Sequence, residues 1–209
     1  MEASSAWGPR DFVPVLAMWS VMMVAMMAPT AAPTLRVFAN APAENRPPLT
    51  VPAFGLGYLA IWLLFSVAAA ILQVILHQAR LLTPDMSIPN RHLATAILLG
   101  AGLFQFTPYK HGCLTHCRSP LEFFMSHWKR GRTGAFKMGL RQGVFCVGCC
   151  WAVMTVLFVV GVMNLWWVGL LAAFILMERI APHGERLGQI GGAILIAIGL
   201  QFLITAGVH

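Results

Sequence analysis

The sequence predicts an all-α fold, a polytopic helical membrane protein with about six transmembrane helices. Three observations predict it. Of the 209 residues 58% are hydrophobic and only 10% charged, a balance that a water-soluble domain of this size does not show. The apolar residues gather into runs of near-spanning length, at 12–32, 51–76, 88–106, 144–162, 165–180 and 188–206. The basic residues fall between those runs, where they act as topology signals and headgroup contacts. A net charge of +7 therefore does not point to nucleic acid here.

A bilayer core about 30 Å thick takes about 20 apolar residues per helix. Six spans and their connections then consume the chain, which is expected to be a single transmembrane domain over 1–209. The N-terminus, MEASSAWGPRD, carries two acidic residues and lacks a basic leader and a cleavage site, so a cleaved signal peptide is not expected. The second and sixth runs are long and uninterrupted. The third is short and starts near Pro89, and the fourth and fifth are separated only around Met163 and Asn164. The short separation of the fourth and fifth predicts a tight helical hairpin, and five spans is the competing count.

The long connection from Lys110 to Arg141 carries seven basic residues and, beside them, Leu121, Phe123, Phe124, Met125 and Trp128. That mixture predicts a basic amphipathic helix on the inner leaflet, or else a plain basic loop. With the N-terminus outside, eleven Lys and Arg lie in the cytoplasm and three, Arg10, Arg80 and Arg91, lie outside. The expected location is the bacterial inner membrane, multi-pass, with both termini outside. The lipid bilayer is then the first partner, and a second copy or a larger membrane complex a further one.

The first run contains five methionines in ten residues, Met18, Met22, Met23, Met26 and Met27. Helical spacing aligns Met18, Met22 and Met26 in one stripe and Met23 and Met27 in the next. Thioethers are soft, uncharged ligands that suit Cu(I) inside a membrane, although methionine also fills irregular apolar gaps. The five cysteines form two groups, Cys113 with Cys117 and Cys146 with Cys149 and Cys150. Offsets of three and four residues put each group on one helical face. The orientation above sets all of them near the cytoplasm, where thiols stay reduced.

The candidate metal ligands are accordingly Cys113, Cys117, Cys146, Cys149, Cys150, Met22, Met23, Met26, Met27, His116 and Glu178. A transition metal ion is the implied cofactor, copper before zinc or iron, since sulfur donors select soft ions. Glu178, ending the fifth run, reads either as a carboxylate near that site or as a group that pairs locally or reaches the interface. Gly139 and Gly143 stand at G-x-x-x-G spacing, which predicts close helix packing. No Walker motif, Ser-His-Asp set or His-Glu-x-x-His helix occurs.

With these residues in place, the chain resembles a bacterial family of predicted metal-binding integral membrane proteins of unknown function. The resemblance rests on MWSVMMVAMMAPTAAP at 18–33, QFTPYKHGCLTHCRSP at 105–120 and GVFCVGCCWAVMTVLFVVGVMNL at 143–165. It implies that Lys110, Met154 and Asn164 are signature positions along with the methionines and cysteines, and it assigns none of them a catalytic role. The sequence supports Cu(I) binding in transport, storage or delivery. A membrane thiol-disulfide oxidoreductase and a non-catalytic subunit of a larger membrane complex are the alternatives.

Overall fold

The structure, a computed structural model, describes residues 9–40, 48–83 and 86–206, with no side-chain description at 9, 10 and 206. Arg46 and the N-terminal segment before Pro9 lie outside the described residues. The described chain is all helical: α1 Pro9–Ala39, α2 Thr50–Gln78, α3 Arg91–Phe104, α4 Pro108–Arg118, α5 Pro120–His127, α6 Gly131–Thr155, α7 Leu157–Val160, α8 Leu165–Ile180 and α9 Gly184–Ala206. A helix stands at each of the six apolar runs. Four stretches are long and apolar enough to cross a membrane, 11–39, 50–78, 131–160 and 184–205. The remaining two, α3 and α8, have 14 and 16 residues.

Helix ends follow local chemistry. Asn90 caps α3 by accepting from the Leu93 amide, and Thr107 caps α4 by accepting from the Lys110 amide, with Pro108 at the first helical position. Both use a side-chain oxygen for an amide that has no partner within its helix. The hairpin expected around Met163 and Asn164 is formed. Gly161 takes φ 91° to close α7, and Asn164 caps α8 through the Trp166 amide.

Two expectations need correction. The helix of the fourth apolar run begins at Gly131, not near Val144, because its first half is held by close backbone packing rather than by hydrophobicity. A methyl group at Gly139 would strike the Phe54 carbonyl oxygen, and one at Gly57 would strike that of Phe136. The spacing of small residues thus lets α2 and α6 touch backbone to backbone. The basic connection is also neither one surface helix nor a loop. It forms α4, α5 and the start of α6, and α4 packs inward with Lys110, Leu114 and Cys117 buried.

The core has two parts. Phe38, Phe54, Phe123, Phe124, Ala135 and Met138 pack where α1 ends and α2 and α6 begin, with Phe38 stacked 5.2 Å from Phe54 and 5.3 Å from Phe124. The larger part, around Trp19, Met23, Met27, Tyr58, Trp62, Cys117 and Cys146, runs through the middle of the bundle. The outer surface of α2 and α9 is itself apolar, with Leu56, Leu64, Ile75, Ile194 and Ile204 exposed. An exposed surface of this kind suits hydrocarbon rather than water.

Candidate metal centre

Cys146 is the hub of the cysteine group. It lies one helical turn from both Cys149 and Cys150, whose thiols donate to the Cys146 carbonyl at 3.1 and 2.9 Å. Because α4 folds inward, Cys117 reaches across and its thiol hydrogen-bonds to both Cys146 and Cys149. Those bonds and its burial hold the Cys117 thiol well above its ordinary range, so it stays protonated until something displaces the proton. Cys113, one turn earlier, packs beside Gly148 and hydrogen-bonds to Tyr109. Burial and the neighbouring Cys149 raise its pKa. All five cysteines are free thiols.

Polar groups from three other helices surround Cys146. The Tyr58 hydroxyl of α2 sits 3.2 Å from the Cys146 sulfur, 3.2 Å from Thr30 Oγ1 and 3.3 Å from the Met27 carbonyl. Arg179 of α8 donates to Cys146 Sγ at 3.4 Å, to Thr30 Oγ1 at 3.1 Å and to Thr34 Oγ1 at 3.4 Å. The Met27 sulfur is 4.0 Å from the same Thr30 hydroxyl. Segments far apart in sequence, α1, α2, α4, α6 and α8, therefore supply groups to one buried locus.

The remaining candidates divide. Met23, Met26 and Met27 are buried and Met22 partly so. Met18, Met22 and Met26 line a groove of about 700 Å³ between α1 and α8, joined there by Met163, whereas Met23 and Met27 lie in the core with the cysteines. His116 stays outside the cluster: its Nδ1–H donates to the Gly112 carbonyl at 2.8 Å and its ring stacks on Phe145 at 4.7 Å. Glu178 forms a buried ion pair with Lys110, which also donates to Gln105. It thus pairs with a residue 68 positions away, not locally. Among the described residues, no three His, Cys, Asp or Glu side chains are preset to hold an ion.

Sequence reasoning missed Tyr58, Thr30, Thr34 and Arg179. Arg179 left one usable signal, since a charged residue closing an apolar helix is either interfacial or functional. The hydroxyls left none, because Thr and Tyr in apolar runs are ordinary.

A family profile described as PpoB2, copper chaperone, matches residues 16–202, which include every residue of the site above. No curated protein and no solved structure matches the chain.

Proposed function

Because this chain belongs to the PpoB2 copper-chaperone family, we propose that it is an integral membrane protein that takes Cu(I) as cargo on the thiols grouped around Cys146 and delivers it to a partner. The observation that carries the reading is the approach of Cys117 of α4 to Cys146 and Cys149 of α6, across two helices. Thiolate sulfur is soft and selects Cu(I), and a pair of thiolates suffices for that ion. Zinc ordinarily takes four donors, whereas among the described residues no three His, Cys, Asp or Glu side chains are preset to hold an ion, which favours the ion that two thiolates can hold.

The chemistry of loading follows from the proton on Cys117. The arriving ion displaces that proton, so affinity rises with pH and the complex leaves when a partner offers competing thiols. The methionines supply neutral, weaker ligands along α1. Those on the groove with Met163 accept or release the ion at the lipid-facing side, and Met27 lies beside the cluster. The charge rule orients the thiol end toward the cytoplasm of a bacterial inner membrane with both termini outside. Release is then to a cytoplasmic or membrane-bound acceptor.

Metal analysis of detergent-purified protein tests this. The expected content is about one copper per chain or per oligomer, lost when Cys113, Cys117, Cys146, Cys149 and Cys150 are together replaced by serine. Undiminished copper in the cysteine-free protein would overturn the proposal.

A further inference from the structure

Arg179 is only 7% exposed, and its described hydrogen-bond partners are two hydroxyls and a sulfur, those of Thr30, Thr34 and Cys146, with no carboxylate among them. The ion pairs among the described residues are Lys110 with Glu178 and His111 with Glu185. Glu178, its neighbour in sequence, faces Lys110. A guanidinium removed from water without a counter-charge is costly, and a guanidinium cannot shed its proton to escape that cost. The groups beside it able to become anions are the thiols and Tyr58.

Building on the copper reading above, we propose that Arg179 is the fixed countercation of a two-thiolate complex of a monovalent soft metal ion, and so sets the site's preference for charge +1 over +2. When two thiols bind Cu(I), two protons leave and the metal complex carries a charge of −1. Arg179, anchored by the hydroxyls of Thr30 and Thr34, brings the buried locus to zero. A divalent ion on the same two thiolates is already neutral, and the guanidinium beside it then remains unbalanced. The discrimination is therefore one full unit of charge, acting over a few ångströms in a medium of low dielectric constant. Arg179 acts through the ligands and is a positioning residue, not a ligand.

The test compares Ag(I), a redox-inert monovalent probe, with Cd(II) on the detergent-purified protein by competition titration. Arg179→Gln is expected to weaken Ag(I) at least tenfold while Cd(II) holds or tightens, an effect of the size that one charge exerts at this range. Arg179→Lys, which keeps the charge, is expected to keep the native ratio. A purely structural arginine would weaken both ions alike, and equal losses or an unmoved ratio overturns the proposal. Should Arg179→Gln not fold, the double variant Thr30→Val with Thr34→Val frees the guanidinium from its anchors and reads the same ratio. It is expected to move toward Cd(II) by a smaller factor, and an unmoved ratio again overturns the assignment. Native protein that binds neither ion instead defeats the copper reading itself, and this inference with it.

Discussion

Two buried cations, Lys110 in contact with Glu178 and Arg179 next to Glu178 in sequence, are treated in opposite ways. Lys110 is 2% exposed and has a carboxylate, Glu178, and an amide, Gln105, in contact. Arg179, the residue next to Glu178, has two hydroxyls and a thiol. The first pair ties α4 to α8 and is complete. The second has no carboxylate, and under the proposal above the anionic metal-thiolate complex is what balances it. One feature of α8, a Glu-Arg dipeptide, thus places a carboxylate against Lys110 on one side and a guanidinium against Cys146 on the other.

The comparison breaks most sharply at the lock. Glu178→Gln leaves a buried ammonium without its anion and is expected to cost about 3–5 kcal/mol of stability. Glu178→Met combined with Lys110→Met should recover most of it. Thermal unfolding in detergent separates these outcomes, and a single variant as stable as the native protein would show that the pair contributes nothing.

A smaller effect is expected at Gln142, which is fully buried one helical turn from Cys146. Neither its amide nitrogen nor its carbonyl oxygen has a hydrogen bond among the described residues. Gln142→Met is expected to stabilise the fold by about 1 kcal/mol, since an unpartnered buried amide costs on that order. A drop in melting temperature would instead mean that Gln142 holds a partner in the membrane. The smallest effect is expected at His116, stacked on Phe145 away from the sulfurs. His116→Ala should leave copper content unchanged, and a loss of metal would bring that imidazole into the ligand set.

What the sequence discloses depends on range. Hydropathy marks all six apolar runs because it is a property of each segment taken separately. Helical spacing groups Cys146 with Cys149 and Cys150 for the same local reason. Cys117 joins them only because Thr107 and Pro108 start α4 and α4 turns inward, a fact of tertiary packing. Charge patterning alone assigns Lys110 to a surface connection, and nothing near it in sequence announces Glu178. The start of α6 was hidden likewise, since Gly131 to Gln142 is too polar to register as a span. Its place is fixed by glycine contacts with Phe54 and Tyr58. Arg179 is visible as a basic residue, but its thiol neighbour lies 33 positions earlier.

Gly188 sits in the second turn of α9 with ordinary helical backbone, so nothing in its own conformation demands glycine. Any side chain there would run into a Glu178 carboxylate oxygen and come within 3.4 Å of Lys110 Nζ. The vacancy at position 188 is the berth of an electrostatic clamp made by two other helices. Even alanine there would require the Glu178 carboxylate to shift within its contact with Lys110.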